Sequence, residues 1–255
     1  MVVNIGSTAF PMVLAISILD SGGNATKLGL VMAAKVLGGT GFLLVGGVWA
    51  DRLKRKYVMI SADICRALLV LILVYVSALN LSSFWMALVV FLIGIGDAFS
   101  APASSAIINT VLPDSVLQQG NVVRGATIRI GGIIGPAIGV ALVALIGTQW
   151  TLIFISLAFL SSVIFMIGIK ELEHDPKEVH DPFIKEMLDG IKVVRSMPWI
   201  GAMILMATIQ LLVVVASEEV LLPVITKREF NTNFTMAAAL IVLDRKSTRL
   251  NSSHS

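Results

Sequence analysis

Apolar residues run through this chain in blocks of about 20 separated by short polar connections, roughly the length of helix that crosses a ~30 Å hydrocarbon core at 1.5 Å per residue. The blocks fall at about 3–19, 28–50, 57–78, 83–108, 120–146, 150–169 and 199–222, and an eighth opens near 234 and stops at Leu243. Membrane-spanning strands would instead need about 10 residues of strict alternation, which is absent. The pattern predicts an all-α, polytopic membrane protein.

One polar segment is long, residues 170–198. Within it Asp181 reads as a helix N-cap with Pro182 at the first helical position. Phe183, Ile184, Met187, Leu188, Ile191 and Val194 then recur at helical spacing, with Lys185, Glu186, Asp189, Lys192 and Arg195 on the other face. That predicts an amphipathic helix along the membrane surface or under a bundle. It divides the chain into a six-helix bundle at 1–169, whose first helix looks clipped at its start, the linker at 170–198, and an incomplete second group at 199–243. The polar, aperiodic residues 244–255 interrupt the eighth block, and "KSTRLNSSH" resembles translated sequencing-adapter sequence. They are read as a non-native tail.

Composition agrees with lipid: 56% hydrophobic and 14% charged residues, with a mean hydropathy of +0.92, cannot clothe a soluble domain of this length. The net charge of +3 does not point to nucleic acid, because the cations sit at helix ends. Arg52, Lys54, Arg55, Lys56, Lys170, Lys177, Lys185, Lys192 and Arg195 share one side of the membrane, against Lys27, Lys227 and Arg228 on the other. The positive-inside rule places the first set, the N-terminus and the 170–198 linker on the cytoplasmic side of a multi-pass membrane protein. The single cysteine, Cys65, excludes an intramolecular disulfide and reads as a buried structural thiol.

Ionisable groups at membrane depth cost about 2.5–3.5 kcal/mol on insertion scales and so need a partner or a wet cavity. Those here are Lys35, Asp63, Arg66, Asp97, Arg124 and Arg129. Asp63 and Arg66, spaced i,i+3, can neutralise one another. Asp97 and Arg129 lie at similar depth on consecutive helices and form a feasible pair, with Arg124 a competitor; a structural salt bridge and a proton-cycling carboxylate both fit. Lys35, alone on its helix, faces a cavity or an anionic substrate, or snorkels to the interface. Glu218 and Glu219 sit near the outer end of the seventh block, a weaker case for binding. His174 and His180 lack further ligands, so no metal site is expected. No G-x-x-x-x-G-K-[ST] loop exists, so ATP is not the direct power source. No intramembrane histidine supports a membrane-embedded enzyme; a non-transporting scaffold that works through protein contacts is a further alternative.

The densest charge cluster follows the second block in "GGVWADRLKRK". Its Gly47, Asp51, Arg52, Arg55 and Lys56 form G-x-x-x-D-R-x-x-R-K, which resembles the signature loop of the major facilitator superfamily. An ordinary positive-inside anchor would explain the cations but not the Gly and Asp offsets. Lys54 stands where the family often has glycine. In "GATIRIGGIIGPAIGV", Gly131, Gly135, Pro136 and Gly139 resemble the antiporter motif of the exporter branch, with Val140 in place of a usual glycine; a plain packing helix is the alternative. "FLIGIGDAFSAPASSAIINTVLPD" and "FIKEMLDGIKVVRSMP" look like the macrolide-efflux and enterobactin-exporter branch. The resemblance implies a six-helix first bundle plus the start of a second. It further implies gating by charge pairs at the Arg52/Arg55 loop, with Gly47 admitting a neighbouring helix. The implied function is proton-driven efflux of a drug-like or siderophore-like small molecule by alternating access, tied to drug resistance. No cofactor is implied beyond the proton gradient, and the partners are substrate, protons, the lipid bilayer and the missing second bundle of a parent protein.

Overall fold

The computed structural model describes residues 1–79, 81–169, 192 and 194–210, leaving aside the side chains of Asp51, Asp114, Ile204, Ala207 and Thr208. The rest of the 170–198 linker, with His174, His180 and the Asp181 cap, lies outside the described residues. So do Glu218, Glu219, the eighth block and the 244–255 tail. Among the described residues every element is a helix: α1 (Val2–Asp20), α2 (Ala25–Gly41), α3 (Leu43–Arg52), α4 (Arg55–Ala78), α5 (Ser83–Val111), α6 (Asp114–Ile146), α7 (Thr148–Ile167) and α8 (Pro198–Gln210). Five are long and apolar enough to cross a membrane, and the α2–α3 pair makes a sixth span.

The second block, predicted as one helix over 28–50, is two helices bent by 42° at Phe42. Gly38, Gly39 and Gly41 weaken the helix here. The Thr40 hydroxyl also bonds back to the Val36 carbonyl at 2.7 Å, a contact that bends helices. α5 and α6 outrun their apolar blocks, because a helix need not stop where the hydrocarbon does. At 33 residues α6 is about 50 Å long by its 1.5 Å rise, well beyond a ~30 Å core. Gly147 alone separates α6 from α7, at a φ of 82° that favours glycine.

Apolar driving force between helices is weak in lipid, so close backbone approach and polar ties set the packing. α5 packs between α2–α3 on one side and α4 on the other, and α7 packs against α4 and α1. At the α2–α5 crossing a Cβ on Gly38 would strike the Phe91 carbonyl, and one on Gly94 the Lys35 carbonyl. Pro102 inside α5 has no N–H for the Ala98 carbonyl, and Gly46 of α3 rests on that carbonyl. The main core, around Val13, Leu14, Leu28, Val70, Val90 and Leu152, fills the bundle. A smaller cluster of Ala50, Val58, Met59, Ala103 and Ile107 closes the end bearing residues 52–56.

The α1–α6 seam carries the predicted glycine face. Gly131, Gly135 and Gly139 lie under Asn4, Thr8 and Ala9–Val13 respectively. Asn4 Nδ2 donates to the Thr127 carbonyl at 3.1 Å, and Thr8 Oγ1 to that of Gly131 at 2.8 Å. These glycines therefore join helices within one bundle and do not form a sliding boundary between two. Val140 is 2% exposed, so a side chain already fills the place of the family's glycine. Cys65 is exposed on α4, not buried, because Asp63 and Arg66 take the inward positions of that turn. Tyr75, Phe84, Trp85 and Trp150 are exposed at one end of the bundle, and Trp49, Tyr57 and Phe165 towards the other. Two such girdles are what membrane interfaces select.

Candidate functional site

Four ionisable side chains meet in the middle of the bundle, from α2, α4 and α5. Arg66 is the hub: its Nη1 donates to Asp97 Oδ1 at 2.8 Å, and its Nη2 to Asp63 Oδ1 and, at 2.8 Å, to the Ser100 hydroxyl. The guanidinium carbon lies 4.6 Å from the centroid of the Phe159 ring of α7, a cation–π contact. Gly96 makes room for the arginine stem. Asp97 uses its second oxygen on Lys35, with Nζ to Oδ2 at 3.2 Å. Two cations and two carboxylates sum to zero, which removes most of the cost of charge at this depth.

The network has a closed half and an open half. Asp63 and Arg66 side chains are 1% and 5% exposed, whereas Lys35 and Asp97 are 23% and 33% exposed. The i,i+3 pair anticipated from sequence is thus the closed half. Asp97 is tied to Arg66 and Lys35 and not to Arg129 as the depth argument expected. Lys35 is not alone. Arg124 donates to the Ser105 hydroxyl at 2.8 Å and joins α6 to α5. Arg129 points to the outer face of α6, beside a 780 Å³ cavity lined by Leu117, Gln118, Asn121, Val122, Gly125 and Ala126. Sequence reasoning does not find Ser100, Phe159, Asn4 and Thr8; Ser100 carries a signal, lying i,i+3 from Asp97, as do Asn4 and Thr8, polar in an apolar run.

The loop at 52–56 sits at one end of the bundle. Arg52 closes the last turn of α3, where a cation opposes the negative helix end. Lys54 has φ −57° and ψ 118°, so no glycine is needed for this turn. Arg55 Nη1 donates to the Ala106 carbonyl of α5 at 3.3 Å. Lys56 Nζ donates to the carbonyls of Ile167 and Ile169 at 2.8 Å each, capping α7. The side chain of Asp51 lies outside the described residues. A Cβ on Gly47 would meet nothing within 4 Å, and Gly46 is the close-contact glycine. Among the described residues no group of His, Cys, Asp and Glu has the makings of a metal site.

The profile of the Major Facilitator Superfamily matches residues 1–243. Macrolide efflux protein A of Streptococcus pyogenes is 28% identical over 237 residues, 89% of this chain and 56% of that protein. Enterobactin exporter EntS of Shigella flexneri is 27% identical over 183 residues, 69% of this chain and 44% of that one. A macrolide efflux protein A of Enterococcus faecalis is covered to 64% at 28% identity, so the chain spans about half to two thirds of these relatives. The crystal structure of the nucleoside transporter NupG superposes with a TM-score of 0.59 at 16% identity, covering 99% of this chain and 67% of that one. That likeness concerns the fold alone.

Proposed function

The chain belongs to the major facilitator superfamily, a family of membrane-embedded transporters and not of enzymes, and from that premise we propose that it forms the first bundle of a proton-coupled exporter. In this reading a second bundle completes the molecule, the two rock about a midplane site, and a drug-like or siderophore-like molecule leaves as protons enter. The basic 52–56 loop and the N-terminus lie on the cytoplasmic face of the plasma membrane, and the cation asymmetry supports that orientation. Efflux rather than uptake is supported by the relatives, an efflux protein and an exporter.

The observation that carries the reading is the neutral Asp63–Arg66–Asp97–Lys35 network, half closed and half open. A structural network gains nothing from leaving two of its charges reachable, whereas a coupling site needs them so. Lys56 and Arg55, which tie the loop to α7 and α5, are the contacts that hold the gate to its own bundle.

Everted vesicles bearing the full-length carrier test this directly. With an acidic interior they should accumulate a macrolide or enterobactin, lose it on addition of a protonophore, and lose about tenfold or more of the rate in Asp97→Asn, the reachable acid. Accumulation that ignores both the protonophore and the substitution overturns proton coupling. Absence of any accumulation by the unsubstituted carrier returns the scaffold reading.

A further inference from the structure

We propose that Arg129 reads an anionic group on the transported molecule: the substrate has an apolar body and a carboxylate or similarly planar anion, and the cavity along α6 seats both. The proposal rests on the transport reading above and deepens it by naming the substrate class.

The surplus charge of the bundle sits on α6. Among the described ionisable groups at membrane depth, Asp63, Arg66, Asp97 and Lys35 cancel. Arg124 and Arg129 remain, both on α6. Arg124 spends a donor on the Ser105 hydroxyl, a neutral partner, and that bond ties it to α5. Arginine does not deprotonate in proteins, so both charges are permanent. A permanent cation at this depth needs an anion or water beside it.

Depth separates a ligand from a lipid headgroup. Arg129 is exposed and lies nine residues into the apolar block that opens near 120, about 14 Å along the helix axis. That is close to the middle of a ~30 Å core, where a snorkelling side chain falls short of either headgroup layer. The cavity beside it measures 780 Å³, a volume that suits a small molecule, and its described wall is one face of α6. Leu117, Val122 and Ala126 supply apolar surface there, and Asn121 and Arg129 the polar points. Helix side chains lean towards the N-terminus, so Arg129 leans over Gly125, one turn below. A Cβ on Gly125 would meet nothing within 4 Å, so no packing contact demands glycine at that place, and its bareness keeps the space before the guanidinium clear. The planar fork of an arginine matches a carboxylate with two parallel hydrogen bonds. Lys35, the other cation near an open face, is already held by Asp97 at 3.2 Å. An acid of the second bundle is the rival partner for Arg129, and the experiment separates it from a ligand.

The full-length carrier in detergent is titrated by calorimetry with 2-naphthoate and with 2-naphthamide, its neutral counterpart of the same shape. Naphthoate should bind about tenfold or more tighter than the amide, as hydrogen bonds to a charged group are lost with the charge. Arg129→Gln should erase that preference while leaving amide binding and the unfolding midpoint as they were. Arg129→Lys keeps the charge without the fork and should retain part of the preference. Gly125→Val points into open space, so it should fold as the parent does yet weaken both probes. Equal binding of the two probes, no binding of naphthoate, or a preference that survives Arg129→Gln overturns the proposal, the last result assigning Arg129 to an acid of the second bundle. Any of these leaves export standing as long as vesicles accumulate a macrolide or enterobactin under a pH gradient. Vesicles that accumulate neither remove both readings.

Discussion

Arg66 shows how much can hang on one side chain in lipid. It is 4% exposed, holds Asp63 on its own helix and Asp97 on the next, and has an aromatic ring of α7 over it. Replacing it by methionine leaves Asp63 sealed away without a counter-ion. Arg66→Met should therefore cost about 3–5 kcal/mol, read as a lowered unfolding midpoint in detergent, and Arg66→Met with Asp63→Asn should recover much of it. Equal stability of the single and double variants would refute the assignment of Asp63 to Arg66. The i,i+3 spacing made this pair legible in the sequence. The Asp97 tie was not, because depth along consecutive helices says nothing of rotation or of which helices touch. α5 has α2 and α4 as its main neighbours, while α6 turns Arg129 outward. The same blindness to rotation put Cys65 inside when it lies outside.

Between helices, glycine decides how near two axes come. Gly94 has the Lys35 backbone against it and Gly46 the Ala98 carbonyl, whereas a Cβ on Gly47 would meet nothing within 4 Å. Gly94→Val should therefore separate α2 from α5 and lower stability by about 1–3 kcal/mol or more, while Gly47→Ala should leave the folded bundle unchanged. Unfolding midpoints in detergent compare the two, and a tolerant Gly94 would mean the helices are not in contact there. A milder effect belongs to the α1–α6 seam. Thr8→Val removes the hydroxyl bond to the Gly131 carbonyl and should cost about 0.6 kcal/mol, close to the average for hydrogen bonds between membrane helices. Periodicity located the helices, and four-residue spacing marked Gly131, Gly135 and Gly139 as a flat face. What lies against that face is a long-range fact, and α1, at the other end of the bundle in sequence, gave no hint of it beyond Asn4 and Thr8 in an apolar run. The bend at Phe42 was foreshadowed by "GGTG", yet hydropathy, which runs straight through it, argued for one span.

At the scale of the whole molecule, burial is lopsided. In its membrane-length stretch α1 is 56% buried and α6 only 22%, although both belong to one bundle. With one side of α6 packed on α1, its other side presents Asn121, Ala126 and Arg129 among exposed apolar residues such as Val122, Ile130 and Ile133. Small and polar groups at membrane depth suit a helix partner or water far better than acyl chains. If a second bundle closes on this face, then bulk placed there should obstruct the rocking and not the folding. In the full-length carrier, Ala126→Trp is expected to leave detergent stability unchanged and to abolish vesicle transport, whereas Gly135→Val, on the glued side beneath Thr8, should lower stability itself. Transport at the unsubstituted rate in Ala126→Trp would mean that the face meets lipid throughout the cycle, and the second bundle would then have to dock elsewhere on this one.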